Sequence, residues 1–526
     1  MLRDGRIWIA NNDAGEGIFL LPRMANRHGL VAGATGTGKT VTTRVMAESF
    51  SALGVPVFMA DIKGDLAGLY APGADSEDMQ ARIARFGLSQ YGFSYEGCPV
   101  TLWDIYGKNG IPLRTTVSEM GPLLMARILQ LNDLQSDILS IVFKIADDRG
   151  LLLVDTKDLK SMLNYVQEHA RDFTDQYGRM SSASIGAILR ALVALESQGG
   201  DIFFGETALN IEDFMQVGTG GKGMINILDS GSLFSNGRLY SSFLLWLLSE
   251  LFEMMPEVGD LDRPKLVFFF DEAHLLFKDA SKAFLEKIEQ VVKLIRSRGV
   301  GVYFCTQNPR DIPDGVLAQL GKRVQHALRA YTPAEQKAVR AAAQSFRENP
   351  AFDTEDTLLA LGTGEALISC LDEGGIPTIV EKAYVLPPQS RMGTISDAER
   401  DQLVKGSLLY TKYSRAYNPE SAYEILERLG FEEAQLAEQA KADAIAAKEQ
   451  AKAEAAKAKE EAREAQKAQS AKKRAAKTVS STVAGTVGRE AGKALGSTFG
   501  GRFGKTLGGN LGASLGRGII GTLFKN

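Results

Sequence analysis

The sequence predicts an α/β protein with a mostly parallel sheet, an all-helical insertion and a helical, low-complexity C-terminal tail. Three observations support this fold class: short apolar runs alternate with longer helical patterns, the runs are nearly continuous, and two long segments have no strand pattern. Continuous apolar runs are typical of strands that are covered on both faces, as in a parallel sheet. The predicted strands are 29–33, 56–61, 223–229, 265–271, 301–307, 323–330 and 365–371.

The two segments without a strand pattern are predicted to be helical. Between about 115 and 200, apolar residues recur at spacings of three and four. Farther on, 396–399 ("SDAE") has the spacing of a capping box, and 418–430 is predicted to be a helix that ends at Gly430. From 437 to 477 the chain is mainly Ala, Lys, Glu and Gln, which favours a helix without the apolar stripe of a coiled coil.

Length and composition describe an ordinary globular protein. The chain has 526 residues, of which 44% are hydrophobic and 24% charged, and its length allows about two to four domains. We expect 1–114 and 201–390 to form the two parts of an α/β core, 115–200 a helical insertion, 391–435 a short helical segment, 436–478 an Ala/Lys/Glu-rich helix and 479–526 a glycine-repeat tail. The net charge of −4 neither favours nor excludes a nucleic-acid partner, because a local basic lining can lie within an acidic total.

Cysteine and histidine usage, together with the apolar runs, predicts a cytoplasmic protein. The three cysteines, Cys98, Cys305 and Cys370, are far apart, which argues against a disulfide framework. The four histidines do not have the spacing of a zinc site. The N-terminus lacks the apolar segment of a signal peptide, and every apolar run is shorter than the ~20 residues of a membrane span.

A glycine-rich loop predicts a nucleotide site. Residues 33–40, "GATGTGKT", match G-x-x-x-x-G-K-[ST] between an apolar strand and a helical pattern. Glycines let backbone amides approach phosphate oxygens, and the following helix points its positive end at the same place. The predicted phosphate-binding residues are Gly33, Ala34, Thr35, Gly36, Thr37, Gly38, Lys39 and Thr40. Lys39 would contact the β- and γ-phosphates of ATP, and the Thr40 hydroxyl would bind Mg²⁺.

Polar residues at the ends of three predicted strands complete this site. Asp271 and Glu272 follow the apolar run "LVFFF", where a salt-bridged cap of the strand is the alternative interpretation. Beside a phosphate loop, Asp271 would instead hold Mg²⁺ through water, and Glu272 would act as general base for the attacking water. Gln307 would sense the γ-phosphate, and Asp61 would contact the water shell of the metal or the catalytic water.

Two arginines follow a helical pattern that precedes another predicted strand. Arg296 and Arg298 stand just before Gly299, which is predicted to end the helix. Cations at that position complement the helix dipole. The residues alone therefore give these arginines a structural interpretation.

The ordered motifs resemble the HerA-like branch of the HerA/FtsK superfamily of P-loop ATPases. The resemblance rests on "HGLVAGATGTGKT", "ADIKGDLAGL", "FFFDEAHLLF" and "RSRGVGVYFCTQNPRDIP", and it covers about 1–390. It implies a RecA-like core, a homo-oligomeric ring of six subunits, ATP hydrolysis at subunit boundaries and translocation on double-stranded DNA. It also implies that Arg296 or Arg298 reaches the γ-phosphate of a neighbouring subunit, a contact that can be worth ~10³–10⁵ in rate.

The chain also departs from the family pattern. Relatives often have Gln-Arg-Pro after the sensor strand, whereas this chain has Gln307, Asn308 and Pro309. The ~25 residues before the phosphate loop leave no room for the N-terminal β-barrel that docks a nuclease in archaeal HerA, so a nuclease partner is not implied. Besides a DNA motor, two functions stay open: an ATP-driven machine that acts on protein or at the membrane surface, and a nucleotide-gated scaffold.

The C-terminal tail has glycine at every fourth position from Gly488 to Gly516. Such a stripe favours close backbone packing, and the basic residues around it favour an anionic membrane surface or DNA. The same basic residues exclude a membrane span. We therefore expect the tail to self-associate or to dock on another surface, with a disordered basic tail as the alternative.

Overall fold

The computed structural model describes residues 1–231, 237–259, 261–278 and 280–475, without the side chains of 468–475. The chain divides into two compact units, Met1–Phe431 and Glu432–Asn526. The predicted glycine-repeat tail lies outside the described residues. The finer division predicted from the sequence stays a prediction.

The described strands form one mixed sheet in the first unit. Their bounds are β1 Leu2–Arg3, β2 Arg6–Asn12, β3 Gly17–Leu20, β4 Gly29–Ala32, β5 Val57–Asp61, β6 Val100–Asp104, β7 Ile111–Pro112, β8 Ile225–Asp229, β9 Leu266–Phe270, β10 Val300–Thr306, β11 Lys322–His326, β12 Glu365–Ser369 and β13 Glu381–Val385. The order across the sheet is β1-β2-β13-β12-β11-β4-β10-β9-β5-β8-β6-β7, and β3 pairs with β2. All pairs from β11 to β7 are parallel, and the others are antiparallel.

Helices account for much of the remaining described chain. Their bounds are α1 Lys39–Ala52, α2 Glu77–Phe86, α3 Val117–Ile128, α4 Asp133–Asp148, α5 Thr156–Glu168, α6 Ala170–Tyr177, α7 Ser182–Glu196, α8 Gly200–Phe203, α9 Gly237–Met254, α10 His274–Phe277, α11 Lys282–Ile295, α12 Asp314–Leu317, α13 Pro333–Gln344, α14 Thr354–Ala360, α15 Asp397–Gly406, α16 Leu408–Tyr413 and α17 Ala422–Ala475. Among these described helices, none is long and apolar enough to cross a bilayer.

The centre of the sheet forms because its strands are apolar on both faces. Every residue of β9 and β10 is buried, and Phe269 stacks on Tyr303 with ring centroids 5.1 Å apart. Because β4, β10, β9 and β5 are parallel neighbours, their carboxyl ends meet at one edge of the sheet. We call this the carboxyl edge: Ala32, Asp61, Phe270 and Thr306 and the residues that follow each of them.

The structure confirms the predicted α/β class and the seven predicted strands, and it corrects some bounds. The strand predicted at 323–330 ends at His326. The segment 115–200 forms α3–α7 without a strand, as expected. The helix predicted to end at Gly430 instead begins at Ala422 and continues through this glycine. The reason is that the following residues are strong helix formers, which together outweigh the ~1 kcal/mol cost of one glycine.

Candidate active site

The phosphate loop connects β4 to α1 at the carboxyl edge. Gly33, Gly36 and Gly38 all have positive φ angles, of 153°, 79° and 119°. A Cβ on Gly33 would lie 2.5 Å from the Cβ of His326, and one on Gly38 would lie 3.2 Å from its imidazole ring. Both the backbone conformation and this close approach require glycine, so the loop has the shape that a phosphate cradle needs.

Lys39 begins α1 and folds back over the loop. Its Nζ donates to the carbonyl oxygens of Gly33 at 2.5 Å and Ala34 at 3.1 Å. Burial lowers the pKa of Lys39, while the charge of Glu272, the next largest cause, raises it. The ammonium group is thus held by loop carbonyls at the place where phosphate oxygens bound by the same loop would lie.

His326, at the end of β11, packs against the glycines of the phosphate loop. Its Nδ1 lies 2.9 Å from the Glu365 carbonyl oxygen, and its Nε2 lies 2.8 Å from the Thr42 hydroxyl. Burial lowers its pKa to about 4, so the ring is neutral at pH 7. The sequence analysis missed this residue, because 284 residues separate it from Thr42 and no local pattern connects them.

The two carboxylates that follow β9 lie at the same edge. Asp271 accepts a hydrogen bond from the Glu272 backbone at 3.0 Å. Glu272 is only 7% exposed and has a φ of 47°, a strained value for a residue with a side chain. Burial, followed by the charge of Glu272, raises the pKa of Asp271 to about 6. Two adjacent carboxylates, one buried and one half-buried, are costly unless a cation approaches them.

Gln307 and His274 hold the Glu272 carboxylate. The Gln307 Nε2 donates to both of its oxygens at 3.3 Å, and the His274 Nδ1 lies 3.3 Å from Oε2. Gln307 and His274 also line an open cleft of about 380 Å³ with Phe277. The parallel pairing of β9 with β10 brings Glu272 and Gln307 together, so the cleft adjoins the two side chains that hold the carboxylate.

Asp61 has a different environment from the one the sequence suggested. Its Oδ1 accepts from the Gly64 N–H and its Oδ2 from the Leu66 N–H, both at 2.8 Å. Asp61 therefore orders its own loop, and each of its oxygens already has a donor. Asp65, in the same loop, lines a small cavity with Thr40 and Asp271. The sequence analysis gave Asp65 no part in the site.

The donors around this small cavity suit magnesium. Thr40 supplies a hydroxyl, and Asp271 and Asp65 supply carboxylates. Hydroxyl and carboxylate oxygens are the ligands that Mg²⁺ prefers, and the raised pKa of Asp271 indicates an incompletely compensated negative charge. The cavity therefore fits Mg²⁺ through Thr40 and Asp271, and Asp65 is a better supported third contributor than Asp61.

The two arginines predicted to contact phosphate lie at the amino end of β10. The seven residues of β10 separate this end from the carboxyl edge by ~20 Å, at 3.3 Å per residue. The Arg298 Cζ lies 4.9 Å above the Phe252 ring, and its side chain is 18% exposed. Arg296 is exposed. Neither arginine is brought to the phosphate loop of its own chain.

Comparisons with known proteins identify the family of this chain. The family described as "Helicase HerA-like C-terminal" matches residues 7–509. The DNA double-strand break repair helicase HerA of Sulfurisphaera tokodaii is 23% identical over 356 residues, which are 65% of this chain and 62% of that protein.

Solved structures are similar to this chain at low sequence identity. The plasmid coupling protein TrwB in complex with the ATP analogue ADPNP has a TM-score of 0.50 at 14% identity, over 75% of this chain and 91% of that one. VirB4 of Thermoanaerobacter pseudethanolicus has a TM-score of 0.45 at 14% identity, over 73% and 97%. The family match spans most of the sequence, so the chain belongs to the HerA-like family of P-loop ATPases.

Proposed function

We propose that this HerA-like ATPase is a Mg²⁺-dependent ATP hydrolase that works as a homo-oligomeric, ring-forming motor on double-stranded DNA. One observation carries the hydrolase part: the loop lysine Lys39, the acidic pair Asp271 and Glu272, and Gln307 converge at one edge of the sheet. Simple nucleotide holding does not need Glu272, which is buried in a strained conformation beside an amide donor. Water activation does.

The residues divide the work of hydrolysis among them. The loop amides and Lys39 would bind the phosphates and offset the charge that develops on the γ-phosphoryl group. Glu272 would accept a proton from a water molecule. At the same time the water oxygen would bond to the γ-phosphorus, and the bond from this phosphorus to the leaving ADP oxygen would break. Gln307 would keep the Glu272 carboxylate directed at that water. Magnesium held through Thr40 and Asp271 would neutralise phosphate charge.

An assay of ATP turnover tests the hydrolase part. We expect phosphate release that requires Mg²⁺ and is lost in Lys39→Ala, because the phosphates would lose their point charge. An Arg171→Ala protein, changed at an exposed residue of the helical insertion, is the matched control and should keep its rate. Wild-type protein that binds ATP and releases no phosphate would exclude the hydrolase.

The ring part predicts that a second copy supplies an arginine. Because Arg298 is held on Phe252 whereas Arg296 is exposed, we assign the contact in trans to Arg296. Arg296→Ala and Glu272→Gln chains, each inactive alone, should regain activity when mixed, because a mixed ring contains interfaces with both residues intact. Lack of recovery between chains that demonstrably exchange would remove this role.

The DNA part is tested by stimulation. We expect duplex DNA to increase ATP turnover, and this increase to fall steeply as the salt concentration rises. Such behaviour would identify duplex DNA as the substrate. Turnover that is unaffected by duplex DNA would instead favour a machine that acts on protein or at a membrane surface. The relative HerA is named a DNA repair helicase, which supports testing DNA first.

A further inference from the structure

A second cleft, distinct from the nucleotide site, lies beside β11. It has a volume of about 740 Å³, and its walls are the segment after β10 and the helix α13. Its cationic lining residues are Arg310, Arg323, Lys337 and Arg340. We call this the basic cleft. Its size is within the range of ligand sites in proteins, ~300–1,000 Å³.

Separate elements direct these cations into one space. Lys337 and Arg340 are three residues apart on α13, so they lie on the same face of the helix. The opposite face of α13 is buried through Ala338 and Val339, which fixes the orientation of the helix. Arg323 comes from β11, a strand in the middle of the sheet.

The positive charge of the basic cleft is only partly compensated. Burial lowers the pKa of Arg323, and among the described residues no carboxylate forms an ion pair with it. Asp314 also lines the cleft, and Glu355 lies 3.5 Å from Arg340. Four cations thus face two carboxylates, and the Arg340 pair is largely exposed, so it is weak. A half-buried guanidinium without a counter-ion favours an anionic ligand.

The residues that line the basic cleft also indicate which kind of anion it binds. Arginine forks match the geometry of phosphate oxygens. None of the residues that line the cleft is aromatic, so it offers no platform on which an unpaired base could stack. In a duplex the bases stack on each other and the phosphates face outward. We propose that the basic cleft binds backbone phosphates of double-stranded DNA, an inference that rests on the proposed function as a DNA motor.

The position of the cleft suits such a motor. Arg310 is only three residues after Gln307, which donates to the catalytic carboxylate of Glu272. The intervening turn is ordered, because the Asn308 side chain accepts from the Arg310 N–H at 3.0 Å. One short segment therefore connects a DNA phosphate contact with the site of water activation.

The test removes two cations of the cleft and measures duplex binding. A Lys337→Gln/Arg340→Gln full-length protein and the wild type are titrated with a fluorescent 25-base-pair duplex at several salt concentrations. The slope of log K against log salt should fall by ~2 in magnitude, at ~0.9 per phosphate contact. A Lys157→Gln/Arg171→Gln protein removes the same two residue types at exposed sites in the helical insertion, and it should retain the wild-type slope.

The outcomes separate the cleft from the proposed function. ATP turnover without DNA is measured in parallel, and it should be unchanged because neither residue contacts the nucleotide site. An unchanged salt slope with normal turnover would overturn the cleft proposal and leave the ATPase intact. Wild-type protein that hydrolyses ATP and does not bind duplex would overturn the cleft and the DNA part together. If only inorganic tripolyphosphate binds, and the variant loses that binding, the cleft is a small-anion site and the proposal is wrong.

Discussion

Ionisable groups are buried at both ends of the parallel strands, but the two ends differ in the hydrogen-bond partners and charges that surround these groups. At the amino end, His28 has a partner on each ring nitrogen: Val302 N–H at 3.0 Å and the Val292 carbonyl at 2.8 Å. Lys322 donates to the His28 carbonyl at 3.2 Å and lies 5.6 Å from the centre of the Tyr303 ring. Burial lowers the pKa of His28 to about 3, so this ring is neutral at pH 7, and it lowers the pKa of Lys322 to about 7.

At the carboxyl edge, buried charges are close together and less well satisfied. The amide hydrogen bonds from Gln307 to Glu272 are long, 3.3 Å, and the acidic side chains adjoin each other. Buried polar groups are normally hydrogen-bonded, so incompletely satisfied ones need an explanation. The comparison teaches that burial alone does not mark a functional site. Burial with unbalanced charge does.

Neutralising Glu272 is expected to have the largest effect on activity. We expect Glu272→Gln to lower ATP turnover by ~10²–10⁴, the usual range for a general base, and to retain nucleotide binding. Turnover is measured by phosphate release and binding by a fluorescent nucleotide. A Lys322→Met protein, changed at the amino end, should keep its turnover. Equal losses in the two proteins would mean that the two ends do not differ in function.

The second prediction concerns stability at the amino end. Because burial depresses the pKa of Lys322 from 10.5 to about 7, the folded chain binds fewer protons than the unfolded chain between these values. Stability should therefore rise with pH across this window, by at most ~5 kcal/mol, and the penalty should be fully present below pH 7. In Lys322→Met the free energy of unfolding should rise less with pH. Near pH 6.5 the variant should be more stable than the wild type, although the lost hydrogen bond reduces this gain by ~1 kcal/mol. Urea denaturation of both proteins at pH 6.5 and 9.5 measures these free energies. An equal change between the two pH values in wild type and variant would contradict the prediction.

The third prediction is a gain in stability at the carboxyl edge. The pKa of Asp271 is raised from 3.8 to about 6, so stability of the ligand-free protein should fall as pH rises through this window. Asp271→Asn should remove that loss and stabilise the protein at pH 7.5 by up to ~3 kcal/mol, while abolishing Mg²⁺-dependent turnover. Thermal denaturation of the wild type and the variant at pH 7.5 and pH 4, in the presence of a chelator, measures the difference in stability between them.

Asp61→Asn is the matched control for that prediction. Burial also raises the pKa of Asp61 to about 6, but its two oxygens accept from two backbone N–H groups. An asparagine has one carbonyl oxygen, so one buried donor would lose its partner, at a cost of ~1–3 kcal/mol. Asp61→Asn should therefore gain less than Asp271→Asn. The reverse order would mean that Asp271 is the better satisfied carboxylate.

The central sheet could be predicted from the sequence because coverage on both faces demands continuous apolar runs. The strands that were missed, β1–β3, β6, β7 and β13, lie towards the two ends of the sheet, outside its centre. β2 (RIWIANN) and β13 (EKAYV) include polar residues, so their runs are interrupted. An interrupted run weakens the pattern on which such a prediction depends.

The site was predictable where chemistry is local. The loop residues, Asp271, Glu272 and Gln307 could be singled out from the sequence because each belongs to a motif or ends an apolar strand, and their roles stay predictions. Asp65 and His326 were missed, since their roles come from contacts with residues distant in sequence. The metal role predicted for Asp61 stays a prediction, and its backbone partners could not be inferred from a strand-end position.

Removing one hydrogen-bonding group at each end is expected to have the smallest effect. Gln307→Ala removes the two hydrogen bonds that Nε2 donates to Glu272, and a charge-assisted hydrogen bond is worth ~1.5–3 kcal/mol. Gln307 is exposed and its bonds are long, so we expect the low end, a loss of about tenfold in turnover with nucleotide affinity retained. Tyr303→Phe, which removes a 3.0 Å bond to the Ala25 carbonyl near the amino end, should leave turnover unchanged. If Gln307→Ala weakened nucleotide binding and left the rate at saturating ATP intact, Gln307 would be a binding residue, and its contact with Glu272 would not serve water activation.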